Sequence, residues 1–460
     1  MKKYSKKKKI NTSISFETEL NNFIKKVTLN VNKTKLKGVL NILIKDIESY
    51  GVDMVMLKSR LRENMKGVEF FTEENSNKYS GYYDILLNKL CIVGDNKYKE
   101  QFLIESVAHE LLHCMSSQRE VQYTKGKPGQ KNQHFKFYCG LSLDLFNTSG
   151  EESDLYNEYF WLKAGSTIFN EGMTEILASS ATAKYFGSVS KWIYFHEKKQ
   201  ISQLYATFGK ELIKGYFENN VSFYKKMFEP FKNKNIKAYD VVDLKPQDLY
   251  KYASNLLLLD QGLENEDYDN PTFINSSLNL HDYNLKFFQK NLIQQFYEKR
   301  NTFLSGEEVK QTLLKSFDMY AKTIDVYMIG GNETYNEIWN NYCDAIDDTY
   351  DTVCRMYKKN KKFYMPSISN NEMQQHLEIS QKLCKYNFYG NCPLEHINIS
   401  NMRTVNLEHE LEKAEKIMKQ NYKMKRYIPK IEHDIWKEWE TQQVPKIEHD
   451  MKEWETQQEV

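Results

Sequence analysis

Ser106-Val107-Ala108-His109-Glu110-Leu111-Leu112-His113-Cys114-Met115-Ser116 contains the pattern His-Glu-x-x-His. On a helix, residues four apart lie one above the other on the same face. His109 and His113 can therefore direct two imidazole nitrogens at one point. Glu110, next to the first of them, can reach a water at that point. This is a metal-plus-base arrangement suited to hydrolysis.

The neighbouring residues agree. Phe102, Leu103, Ile104, Val107, Ala108, Leu111, Leu112 and Met115 are apolar. The interruptions Glu105, Ser106, His109, Glu110, His113 and Ser117 follow steps of one, three and four, which makes one polar stripe on an otherwise apolar helix. Such a helix is largely buried. Buried imidazoles and a carboxylate need partners, because burying them bare is costly. A metal ion is the simplest partner they can share.

Composition sets the frame. The 460 residues suffice for two or three domains. Lys+Arg 64 against Asp+Glu 62 argues against a dedicated nucleic-acid binder, which carries a basic excess. Few glycines and prolines, 19 and 8, suggest a helix-rich chain. The abundance of Lys, Asn, Ile and Tyr suggests a bacterial source. The seven cysteines are odd in number and include no C-x-x-C pair, which points to free thiols in a reducing cytoplasm. No run of 18 apolar residues occurs, so no membrane span is expected.

In chain order, residues 1–14 read as a basic disordered tail. Helices are expected at 16–26, 34–47 and 54–61, a strand at 67–71, and a hairpin from 80 to 93 just before the His-Glu-x-x-His helix. Residues 119–133 read as a loop and 134–146 as a strand or hairpin arm, with His134 at the surface. From 191 to about 422 the periodicity is helical. Asp344, Asp347, Asp348 and Asp351 form a solvated acidic face, because a calcium loop needs alternating oxygens and a central glycine. Near the C-terminus, Pro429 to Gln443 recurs as Pro445 to Gln458. Two units cannot make a solenoid. They form a tolerant tail or a tryptophan-bearing docking segment for a protein partner.

A catalytic zinc ion (Zn2+) takes three protein ligands and leaves one position open. A third ligand is offered downstream by Phe169-Asn170-Glu171-Gly172-Met173-Thr174-Glu175, which opens a helix running to about Tyr185. Glu171 and Glu175 lie four apart on one face. One can ligate a metal and the other can accept the free ring N–H of a ligand histidine. An ordinary exposed glutamate pair near a helix start is the bland alternative.

His109-Glu110-Leu111-Leu112-His113 followed by Asn170-Glu171-Gly172-Met173-Thr174-Glu175 resembles the gluzincin clan of zinc metallopeptidases, which includes the thermolysin-like enzymes. The resemblance spans roughly residues 80 to 187. It implies that His109, His113 and Glu171 bind zinc, that Glu110 is the general base, that Glu175 supports a ligand from behind, and that Asn170 assists. It implies a peptide or protein substrate. The segment between His113 and Glu171 is longer than is common in the clan. An oxyanion donor is also implied, with Tyr159 and Tyr205 as candidates by proximity alone. The expected fold class is α+β, a zincin-like domain with a small mixed sheet over 15–190. A mainly helical domain over 191–427 and a repeat tail over 428–460 are expected to follow. The alternative is a catalytically inactive zincin-fold binding or toxin-type module. A structural metal site closed by a fourth protein ligand is a third option.

Overall fold

The structure, a computed structural model, describes residues 15–64, 81–84, 89–92, 100–125, 131–147, 166–187, 194–218, 222–224, 226–227, 246–264, 270–324, 332–359 and 363–387. The expected strand at 67–71, the helical periodicity beyond 387, the N-terminal tail and the C-terminal repeat tail lie outside these residues.

Three helices begin the described chain. Helix α1, Phe16–Lys26, starts at Ser15, whose hydroxyl accepts the N–H of Thr18; Glu17 and Glu19 occupy its first turn and Lys25 and Lys26 its last. Those charges oppose the partial charges at the two helix ends. Helix α2, Lys33–Ser49, is capped by the Asn32 side chain and buries Leu36, Val39, Leu40, Leu43 and Ile47 at steps of three and four. Helix α3, Met54–Asn64, carries the buried Arg60.

Helix α4, Glu100–Ser116, holds the His-Glu-x-x-His residues and is buried at every position from Leu103 to Ser116. Its neighbours secure its C-terminal end. Arg60 donates to the carbonyls of Met115 and Phe217. Asn64 Nδ2 donates to the Cys114 and Ser117 carbonyls at 2.8 and 3.2 Å. These donors satisfy carbonyls that a helix leaves unpaired at its C-terminus.

Among the described residues the strands are few. β1, Gly81–Asp84, pairs antiparallel with β2, Lys89–Ile92, in the register Gly81↔Ile92 and Asp84↔Lys89. β3, Gln118–Lys125, β4, Lys131–Cys139, and β5, Ser142–Asn147, form a separate antiparallel meander with β4 in the middle. The structure departs from two sequence expectations. Much of 119–133 is not a loop: Gln118 to Lys125 pairs with Lys131 to Tyr138 along the whole strand. Its polar residues misled because a two-sided ladder is held by backbone hydrogen bonds and does not require an apolar face. The described residues also do not form the expected α+β fold built on a small mixed sheet. The described residues are dominated by helix, and every described strand pair is antiparallel and local. The mixed sheet was implied by the resemblance of two helix-borne motifs, but helices supply almost all of the described core.

Helix α5, Ser166–Phe186, packs on α2 and α4. It ends at Gly187, whose φ of 73° is left-handed, the conformation that terminates many helices. The helical signal over 201–217 resolves into α6, Phe195–Phe208, and α7, Lys210–Phe217, broken at Gly209. Helices α8 (Pro246–Glu264), α9 (Pro271–Glu298), α10 (Gly306–Ala321), α11 (Asn332–Lys359) and α12 (Asn370–Asn387) complete the described fold. Ser369 and Glu372 make a reciprocal capping box at the start of α12. One apolar core cluster includes residues on both sides of the expected boundary at 190/191, and α5 and α6 pack together across it. Asp344, Asp347, Asp348 and Asp351 are exposed on α11. No described helix is long and apolar enough to cross a membrane.

Candidate metal centre

Helices α4 and α5 pack against each other and turn their polar residues inward. From α4, His109 and His113 set their rings edge to face, with centroids 4.9 Å apart. From α5, Glu171 comes between them. Its Oε2 lies 3.0 Å from His109 Nε2 and 3.3 Å from His113 Nε2, and the two Nε2 atoms are 3.1 Å apart. The i, i+4 spacing on each helix supplies the two faces; the helix crossing supplies the meeting point.

The triangle suits a metal. Tetrahedral coordination at bond lengths of 2.0–2.1 Å separates neighbouring ligand atoms by roughly 3.3 Å. The three atoms here are spaced at 3.0, 3.1 and 3.3 Å. Two imidazoles and one carboxylate also form a donor set suited to divalent transition metals. His109, His113 and Glu171 thus form a group that could hold a metal ion.

A second carboxylate orients His109. Glu175, wholly buried, places Oε2 2.9 Å from His109 Nδ1. When His109 Nδ1–H donates to this carboxylate, the Nε2 lone pair is left facing the triangle. Asn170, also buried, lies behind His113: its Nδ2 is 3.4 Å from His113 Nδ1 and 3.4 Å from Glu171 Oε1.

The charges follow from this packing. Burial alone pulls the His109 imidazole down, but Glu171, Glu175 and Glu110 outweigh it and raise the ring to about 9. Burial opposes the charged His113 as well, and the Glu171 charge overcomes it, so that ring is also raised. Burial pushes the Glu171 carboxyl up, yet the two imidazoles hold it well below the usual carboxylate range. Protons therefore compete with a metal ion for these nitrogens, and metal binding at the group depends on pH.

Glu110 lies in the middle of α4, is only 5% exposed, and is close enough to His109 to bias its charge. Gly172, between the two glutamates, marks a close approach. A Cβ there would meet the Glu197 carbonyl oxygen of α6 at 2.5 Å. Thr174 Oγ1 donates to the Asn170 carbonyl at 2.7 Å and lies 2.6 Å from the Tyr216 hydroxyl, which joins α5 to α7 behind the site.

The structure brings His109, Glu110, His113, Asn170, Glu171 and Glu175 into one place. Of the two tyrosines considered as oxyanion donors, Tyr159 lies outside the described residues, and Tyr205 is buried with its ring edge-on to Tyr50. The His134 side chain also lies outside them; its backbone sits in the middle strand of the meander, opposite Gln122 and Asn147. Two contacts had no signal in the sequence. Tyr194 stacks on the His109 ring, with centroids 5.7 Å apart and planes 19° from parallel, from a left-handed backbone position with φ 53°. The Cys139 sulfur lies 3.7 Å from His113 Nδ1. No family profile, curated protein or solved structure matches this chain.

Proposed function

We propose that this chain is a zinc-dependent peptidase in which His109, His113 and Glu171 hold the metal and Glu110 is the general base. One observation carries the proposal: three ligand atoms from two helices converge at 3.0–3.3 Å, with a buried carboxylate adjacent in sequence to the first ligand. A bound zinc would supply Lewis acidity and lower the pKa of a coordinated water. Glu175 holds the His109 tautomer. Glu110 takes a proton on its carboxylate oxygens and returns it to the leaving amine. The low exposure of all these groups strengthens each electrostatic interaction among them. Zinc is favoured over other metals by the His2Glu donor set, which catalytic zinc sites combine with an open fourth position. We further infer a peptide or protein substrate, which the resemblance of the two motifs implies, and a reducing, cytoplasmic setting, which the odd cysteine count supports.

The test is zinc titration of the purified chain, followed by digestion of a mixed peptide library. One zinc per chain should bind, and Glu110→Gln should keep it while abolishing hydrolysis. Hydrolysis that survives this substitution overturns Glu110 as the base. Full zinc occupancy with no cleavage by the unaltered chain overturns peptidase activity in favour of a binding or toxin-type module.

A further inference from the structure

The turn between β4 and β5 reaches the back of the metal centre. Cys139, the last residue of β4, places its sulfur 3.7 Å from His113 Nδ1 and 3.8 Å from the His113 carbonyl oxygen. Leu141, two residues on, donates its N–H to Asn170 Oδ1 at 3.2 Å and accepts from the Tyr224 hydroxyl at 2.9 Å. Gly140 between them has φ 56°, and a Cβ there would strike Asn170 Oδ1 and the Tyr216 ring. The turn is therefore seated against α5 and α7 by its backbone.

This seating fixes which way the Asn170 amide points. Its oxygen takes the Leu141 N–H, so its NH2 group faces His113 Nδ1. An NH2 group donates and cannot accept. For His113 to bind a metal through Nε2, however, Nδ1 must carry the proton, and that proton needs an acceptor. Among the described residues, the acceptor beside Nδ1 is the Cys139 sulfur.

We infer that Cys139 is a positioning residue of the metal centre: its sulfur accepts the His113 Nδ1–H and so keeps Nε2 free for the metal. The inference rests on the metal-binding proposal above and extends it. His109 is held by a carboxylate on α5, and His113 by a thiol on the meander inserted between the two halves of the site. The insertion is then part of the site, and metal affinity depends on an intact Cys139 side chain.

The experiment uses the full chain with Cys139→Ala, Cys139→Ser and His113→Ala. Zinc affinity is read by competition with a chromophoric chelator, and folding by circular dichroism. The Co2+-loaded protein is also examined for absorption. Cys139→Ala should weaken zinc binding about 10–100-fold, the usual effect of removing an outer partner of a ligand. Cys139→Ser, which keeps an acceptor, should recover most of that loss. The Co2+ spectrum should contain no sulfur-to-cobalt charge-transfer band. Unchanged affinity in both variants overturns the inference. So does an equal loss in Ser and Ala, or a charge-transfer band, which would make Cys139 a direct ligand. If the unaltered chain and His113→Ala are equally unable to bind zinc, the metal centre itself falls, and the role of Cys139 with it.

Discussion

Glu175 Oε2 lies 2.9 Å from His109 Nδ1, and the glutamate is entirely shielded from solvent. A buried carboxylate aimed at the outer nitrogen of an imidazole fixes both the ring's tautomer and its orientation. Glu175→Gln keeps an acceptor but removes the charge, whereas Glu175→Ala removes both. Zinc affinity by chelator competition should therefore fall in the order unaltered chain, Gln, Ala, with the Ala variant about 10–100-fold weaker. Equal affinity in all three would show that Glu175 only packs.

Glu171 touches both Nε2 atoms. Glu171→Ala leaves two imidazoles, one short of the three protein ligands of a catalytic zinc site. Its loss of zinc affinity should exceed that of Glu175→Ala. The reverse ranking, measured in the same titration, would exchange the roles assigned to the two carboxylates.

Gly172 lies under the α6 backbone, where an added Cβ would stand 2.5 Å from the Glu197 oxygen and 2.7 Å from its carbonyl carbon. In an exposed helix, glycine to alanine gains up to about 1 kcal/mol. Here the added methyl meets backbone, and α6 must shift. Gly172→Ala should lose about 1–3 kcal/mol, the usual range for overpacking a core. Denaturant unfolding of the two proteins measures it; a gain in stability would mean that α5 and α6 separate easily.

Asp318 is a pH-dependent element away from the candidate metal centre. Burial raises its carboxyl to about 7 from an ordinary 3.8, with Ser380, Lys322 and Lys315 opposing the rise. Ser380 Oγ donates to Asp318 Oδ1 at 2.7 Å, and His376 Nδ1 lies 3.3 Å from the same oxygen. His376 is pushed by burial down to about 4, so it stays neutral above that. An acid whose folded pKa is raised binds more protons folded than unfolded. Stability therefore falls as pH rises from about 4 through about 7, by on the order of 4 kcal/mol at roughly 1.4 kcal/mol per pH unit. Asp318→Asn has no such loss. The stability difference between variant and unaltered chain should move in the variant's favour between pH 5 and pH 8. A difference that stays constant with pH would mean that Asp318 is charged throughout.

Helix α4 was legible because its residues state their geometry locally. His109 and His113 share a face at i, i+4 whatever surrounds them, and the apolar residues between them require burial. Glu171 and Glu175 were legible for the same reason, and the capping residues Ser15, Asn32 and Asn270 mark helix starts as their chemistry dictates. The mixed sheet, absent among the described residues, was implied by the resemblance of two motifs that lie on helices, and helix-borne residues carry no information about the strands around them. The meander at 118–147 was only half seen, since β3 is mostly polar and backbone pairing leaves no signature in such a sequence.

By itself, the sequence determined which side chains are available to a metal and on which helix faces they stand, because helical periodicity is a property of consecutive residues. Tertiary structure alone decided that α5 crosses α4 with Glu171 Oε2 between two imidazoles. It also placed Tyr194 over the His109 ring and the turn carrying Cys139 behind His113. These contacts join residues 26 to 85 positions apart. Their geometry depends on how whole helices pack, and the local sequence does not encode it.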